Sequence, residues 1–344
     1  MDADNALFWE FPVVGGLVVA CEAVEDEIYF LNHTAGFIWA AVRSGMAEDR
    51  VAAHFAVAFG VSHERALADV RDALESWGGW FSRGRFYELN GKRFRLLLES
   101  DELEAEILLR LEHLSASPGL GGADFCLRRK EEESVSKTRA LLLQEMVRLA
   151  RGGGEWLALL HAGACATARG CVVFPAPSGS GKTTLAAALM LSGLGCHGDD
   201  SVGVESGSLT VPPMPFALAV REGSWPVVSG LCPGFAELPV RERFGQRVRY
   251  LAPLLPGGRP VEAVPAVGLV FPRFEAGTAT TVTRMGMLEA LVGLKEAGFW
   301  VPHSREGIQA FLDWVAGLPA WRLVYSDVGE AVAVFRELLA SDSH

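Results

Sequence analysis

The stretch that most constrains this chain runs from Cys171 to Thr184: an apolar strand, Cys171 to Phe174, then a run of small residues, then a helix opening near Thr184. Small residues let consecutive backbone N–H groups curl around phosphate oxygens, a lysine adds a cation, and a helix N-terminus favours an anion. The spacing follows GxxxxGK[ST] except at Ala176, which stands where the first glycine belongs and fits there if its φ is negative. The pattern gives phosphate binding to Ser178, Gly179, Ser180, Gly181, Lys182, Thr183 and Thr184, and gives the Thr183 hydroxyl to Mg²⁺. A nucleoside triphosphate with Mg²⁺ is the expected ligand.

Beyond the loop's helix comes Gly198-Asp199-Asp200, read as the start of a strand. Adjacent carboxylates on a strand point to opposite sides, so one can hold Mg²⁺, directly or through water, while the other faces an acceptor hydroxyl. Two hairpins bracket the loop: His161 to Thr167 with Cys171 to Phe174, and Ser201 to Glu205 with Ser208 to Pro212 around Ser206-Gly207. Consecutive hairpins require a mixed or antiparallel sheet, unlike the strand–helix alternation of a doubly wound fold.

Residues 1–85 follow another pattern. Leu17 to Cys21 and Glu27 to Leu31 are strand-like and flank an acidic turn; three amphipathic helices follow over His33–Arg43, Glu48–Phe59 and Ser62–Trp77. Asn32 or Thr34 caps the first, Ser62 the third, whose Ala66, Leu67, Val70, Ala73, Leu74 and Trp77 keep helical spacing. A small sheet with three helices is the make-up of a winged-helix-like domain. Residues 86–150 read as a strand pair turning at Asn90-Gly91, helices over Asp101–Leu114 and Lys137–Arg151, a Ser115–Gly122 loop and a strand at Phe125–Arg129, with no catalytic constellation.

A net charge of −11 argues against nucleic acid, and the basic run Arg128-Arg129-Lys130 is followed at once by Glu131-Glu132-Glu133. The acidic Met1-Asp2-Ala3-Asp4 is unlike a signal peptide, and no apolar run approaches the roughly 18 residues of a membrane span, so the cytoplasm is the expected compartment. The six cysteines form no CxxC pair and read as buried small hydrophobes; the eight histidines include no HExxH.

Leu31-Asn-His-Thr-Ala-Gly-Phe-Ile-Trp39 resembles the LNxTAxxIW signature of the PqqD-like peptide chaperones, over about residues 10–80. The resemblance implies that the leader of a ribosomally made precursor peptide adds as a strand to the small sheet, beside the third helix. Leu160-His161-Ala162, the loop, Gly198–Val204, Pro215–Ser224 and Arg249–Pro253 together resemble the HPr serine kinase/phosphorylase family, whose fold is related to PEP carboxykinase. That resemblance implies ATP-dependent phosphorylation of a serine, with Asp199 as base, Asp200 near Mg²⁺, Lys182 on the β/γ-phosphates and His161 beside them. It also implies hexamers, hence a possible homo-oligomer.

Arg221-Glu-Gly-Ser-Trp225 replaces that family's glycine-rich capping segment, which puts carrier-protein recognition and phosphorylase activity in doubt; Arg221 and Arg249 are candidates to clamp phosphate. The expected architecture is α+β: a winged-helix-like recognition domain over 1–85, then an HPr-kinase/PEP-carboxykinase-like phosphate-loop domain with a mixed sheet over 86–344. The expected activity is a serine/threonine kinase acting on a precursor peptide, as implied for the tailoring kinases of lasso-type peptides. A small-molecule kinase and a nucleotide-switched, non-catalytic binding module remain open.

Overall fold

The computed structural model describes residues 8–13, 16–21, 27–44, 46–82, 84–98, 100–117, 125–129, 135–243, 245–253 and 262–340. The chain divides into two compact units, Met1–Glu104 with Leu114–Ser134, and Ala105–His113 with Val135–His344.

In the first unit β1 (Phe8–Val13), β2 (Gly16–Cys21) and β3 (Glu27–Asn32) form an antiparallel sheet in that order. The acidic turn between the second and third strands lies outside the described residues. Pro12 interrupts the strand pattern of β1; as an edge strand it tolerates a residue that cannot donate. Helices α1 (His33–Arg43), α2 (Glu48–Phe59) and α3 (His63–Ser82) follow. Asn32 is the cap of α1, its side chain accepting the Ala35 N–H at 2.8 Å, and Ser62 accepts the Arg65 N–H at 3.2 Å. The apolar stripes meet in a core where Trp39 and Trp77 stand edge to face at 5.5 Å around Ile38, Val51, Phe55 and Val70.

Strands β4 (Arg85–Leu89) and β5 (Lys92–Leu98) form the expected hairpin, with Asn90 and Gly91 both at positive φ, 53° and 71°. After α4 (Asp101–Leu111), β6 (Phe125–Arg129) returns to pair parallel with β5. The return of β6 closes this sheet inside the first unit, while α4 from Ala105 onward belongs to the second.

The second unit continues through α5 (Val135–Ala150), β7 (Trp156–Leu160), β8 (Ala162–Thr167), β9 (Gly170–Pro175), α6 (Lys182–Leu191), β10 (Gly195–Gly198), β11 (Val202–Glu205), β12 (Thr210–Val211), β13 (Leu218–Arg221) and α7 (Trp225–Leu231). It ends with β14 (Arg241–Arg243), β15 (Gln246–Leu251), β16 (Val264–Phe274), β17 (Thr281–Met285), α8 (Met287–Ala297), β18 (Phe299–Trp300), α9 (Arg305–Ala316), β19 (Ala320–Tyr325) and α10 (Val328–Ala340). A seven-stranded sheet runs β10-β8-β9-β16-β19-β17, with β12 also on β16. It is mixed: β9, β16 and β19 are parallel, and the other pairings are antiparallel.

Strand β9 is buried on both faces. Val172 and Phe174 pack with Leu185 of α6 and Phe335 of α10, while Cys171 and Val173 pack with Leu294 of α8 and Phe311 of α9. The β8–β9 hairpin forms as expected. The second expected hairpin does not, since β11 pairs with β7 and β12 with β16. The reversal between them is held by Leu209, at φ 56°, whose N–H donates to Glu205 O, and by the Ser208 and Thr210 hydroxyls on Glu205 Oε2; it sends the two strands to different sheets.

Candidate functional site

Strand β9 delivers the chain into the loop at Pro175, and α6 carries it away from Lys182. Gly179 (φ 87°) and Gly181 (φ 90°, the N-cap of α6) hold left-handed backbone that a side chain would strain, whereas Ala176 does not have positive φ. The departure from the glycine pattern thus costs nothing. The loop borders a cavity of about 300 Å³ reached also by His161, Asp199, Asp200, Arg110 and Arg221.

Lys182 is buried, with Nζ donating to Ala176 O at 3.0 Å and lying 2.9 Å from His161 Nε2. Burial lowers its pKa, opposed by Asp199 and Asp200. Thr183 Oγ1 donates to Asp199 Oδ1 at 3.2 Å, the Thr184 and Ser224 hydroxyls lie 2.5 Å apart, and Arg221 Nη2 donates to Ser178 Oγ at 3.4 Å. The start of α6 is tied to the segment after β13.

The two aspartates lie in the link between β10 and β11, not on a strand. Their different directions come from a turn in which Asp200 takes φ 88°, a sparsely populated conformation for a residue with a side chain. Its contacts hold it there. Asp200 Oδ1 lies 3.1 Å from His161 Nε2; Oδ2 accepts from Arg139 Nη2 at 3.0 Å and Arg110 Nη2 at 3.4 Å, with Arg243 Nη2 at 3.8 Å. The same three arginines close on Glu106: Arg139 by a short hydrogen bond, Arg243 Nε at 2.8 Å and Arg110 Nε at 3.8 Å. Burial works to raise the Asp200 pKa, but the His161 bond and the Arg110 and Arg139 guanidiniums outweigh it and hold the carboxyl well below the usual range. Asp199 moves the other way: burial and the neighbouring Asp200 charge raise it, against Lys182, Arg110 and the Thr183 bond.

His161 precedes β8. Its Nδ1 lies 3.0 Å from Ala297 O and must carry a proton to bond there. Its Nε2 lies 2.9 Å from Lys182 Nζ and 3.1 Å from Asp200 Oδ1, so the ring stands between the two charges.

Residues 86–150 do contribute to the site, contrary to the reading of that stretch as empty of chemistry. Glu106 and Arg110 from α4 and Arg139 from α5 are buried around Asp200. A signal existed: Leu103, Glu106, Ile107 and Arg110 occupy i, i+3, i+4 and i+7, so two charges stand in the buried stripe of one helix. Arg243 and Ser224 carried no such pattern. Arg249 is not brought to the cavity; its guanidinium stacks 4.5 Å from Trp225 and 5.6 Å from Phe235, with Nη1 donating to Phe235 O.

Among the described residues no group of three or more His, Cys, Asp or Glu side chains is gathered as a metal cage. Magnesium brought by a nucleotide needs only one or two protein oxygens beside the phosphates. The Thr183 hydroxyl and Asp199 Oδ1 supply such hard oxygens at 3.2 Å from each other, whereas the expected partner of Thr183, Asp200, has both oxygens engaged by His161 and arginines.

Residues 19–79 match the profile of Coenzyme PQQ synthesis protein D (PqqD), a span that takes in the second half of β2 and then β3, α1, α2 and most of α3. No curated protein matches the chain. No described helix is long and apolar enough to cross a membrane.

Proposed function

We propose that the chain is a peptide kinase: its first unit holds the leader of a ribosomally made precursor, and its second, HPr-kinase-like, transfers the γ-phosphoryl group of ATP to a serine or threonine hydroxyl of that precursor. The observation that carries this reading is the convergence of Lys182, Thr183, Asp199 and His161 on one cavity of about 300 Å³ at a helix N-terminus. Phosphoryl transfer asks a protein for positioning and charge neutralisation more than for covalent chemistry.

Lys182 would leave Ala176 O and His161 to meet the β/γ-phosphates, with Arg221 beside them at Ser178. The Thr183 hydroxyl would hold Mg²⁺, which when bound neutralises charge on the phosphate oxygens. Asp199 is the base toward the acceptor hydroxyl: its pKa is raised, and among the described residues its Oδ2 accepts no hydrogen bond. Asp200, held ionised by arginines, keeps His161 in place. Leader capture makes acceptor delivery effectively intramolecular, so the catalytic cavity needs few contacts around the serine.

The test is transfer of labelled γ-phosphate to the full-length precursor by the intact chain and by Lys182→Ala. Transfer by the first and loss of transfer with the second support the reading. A nucleotide-switched binding module is the second reading, favoured because the family matched at residues 19–79 implies peptide recognition. It requires ATP binding that changes leader affinity with no phosphopeptide formed. Transfer to small alcohols, indifferent to the leader, would instead mark a small-molecule kinase.

A further inference from the structure

We infer that the cleft walled by α8 and the end of β16 takes the nucleoside part, base and ribose, of the nucleotide whose phosphates lie on the loop; the inference rests on the phosphate-loop reading above. The cleft has a volume of about 800 Å³ and mainly apolar walls, among them Phe271, Met285, Leu288, Val292 and Val324. Pockets for small ligands have this size and character.

Its position is the second argument. It opens at the C-terminal ends of the parallel strands β9, β16 and β19, bordered by Pro175–Ser178 just after β9 and by Phe271–Arg273 near the end of β16. Helix α6, which follows β9, packs in the core on one face of the sheet, and α8 packs in the core on the other. Where helices part to opposite faces at the carboxyl ends of parallel strands, the backbone leaves a crevice, the usual ligand site of open α/β sheets.

Continuity is the third. Ser178 lines both this cleft and the phosphate-loop cavity. A ligand reaching from one to the other needs an anionic end for Lys182 and a flat, largely apolar end for the cleft, which describes a nucleoside triphosphate. The wall of α8 is shaped for an occupant. Ala290 and Leu294 are buried in the core, whereas Leu288 and Val292 remain 76% and 49% exposed. A Cβ at Gly293 would stand 2.6 Å from the Phe271 ring, so the missing side chain lets α8 approach β16 this closely. At the rim Arg322 Nη2 and Glu289 Oε1 lie 3.9 Å apart and offer donors and acceptors to ribose or base.

Inorganic tripolyphosphate probes the loop without the cleft, and MgATP probes both. Dissociation constants are measured by calorimetry on the full chain, on Val292→Trp, which fills the cleft from an exposed helix position, and on Lys182→Ala. The expected result for Val292→Trp is an ATP affinity lowered by about tenfold or more with tripolyphosphate binding unchanged, while Lys182→Ala weakens both. Retained tripolyphosphate binding also shows that the variant is folded; Leu288→Trp is the second blocking variant should the first not fold. If Val292→Trp binds ATP like the parent while Lys182→Ala loses both ligands, the nucleoside assignment is overturned and the loop reading stands. The same holds if Val292→Trp raises only the KM for precursor peptide, which would make the cleft an acceptor groove. If the parent chain binds neither ligand, the loop reading fails and this inference with it.

Discussion

His197 should make the second unit acid-labile well above the carboxylate range. It lies in β10 two residues before Asp199 and is 0% exposed. Its Nδ1 bonds Val211 O at 3.0 Å, so the ring is the Nδ1–H tautomer, and its buried Nε2 has no hydrogen-bond partner among the described residues. Burial lowers its pKa from 6.5 to about 4, against the opposing Val211 bond. Between those values the unfolded chain binds a proton that the folded chain refuses. The stability tied to the neutral ring is therefore complete above pH 6.5 and is lost as pH falls toward about 4. At about 1.4 kcal/mol per pKa unit the full loss is about 3 kcal/mol. His197→Asn keeps an N–H for Val211 O and removes the titration. Urea unfolding at about pH 7 and about pH 4.5 should show the parent losing about 2 kcal/mol more than the variant across that interval. Parallel losses would refute the reasoning, because the carboxylates that also titrate there are common to both chains.

Asp199→Asn should remove turnover by roughly a hundredfold or more while leaving ATP binding nearly intact, since an amide keeps shape but takes no proton; single-turnover kinetics against equilibrium binding checks it. Asp200→Asn should cost stability as well, because it takes a negative charge from beside three arginines; a thermal melt that matches the parent would contradict the network. Arg249→Met should lower stability by about 1–2 kcal/mol through loss of the Trp225 and Phe235 stacking, yet leave the KM for ATP unchanged, and a raised KM would return Arg249 to the phosphates. Along an edge strand consecutive N–H groups point to opposite sides, so of Tyr29→Pro and Phe30→Pro in β3 one should weaken leader binding and the other the sheet itself. Leader titrations and urea melts of both variants separate the two effects, and unchanged leader affinity in both would rule out strand addition at β3.

Features governed by neighbours in the chain were readable from residues alone. The loop and its helix, the Asn90-Gly91 turn, the β8–β9 hairpin and the stripes of α1 to α3 each depend on local periodicity, capping or turn chemistry, and all stand where the sequence places them. The mixed sheet also followed, although one of the two expected hairpins does not form: Val202–Glu205 and Thr210–Val211 are strands, but which strand each pairs with is a long-range choice that a short turn does not carry. Likewise the return of β6 to β5 is a pairing between segments far apart in sequence. At the site, the sequence by itself determined where the Ser178–Thr184 loop lies and where its helix begins. Only the tertiary structure decided what surrounds the aspartates, because Arg110, Arg139 and Arg243 come from α4, α5 and β14, and their shared attraction to Asp200 and Glu106 exists only once those elements have packed.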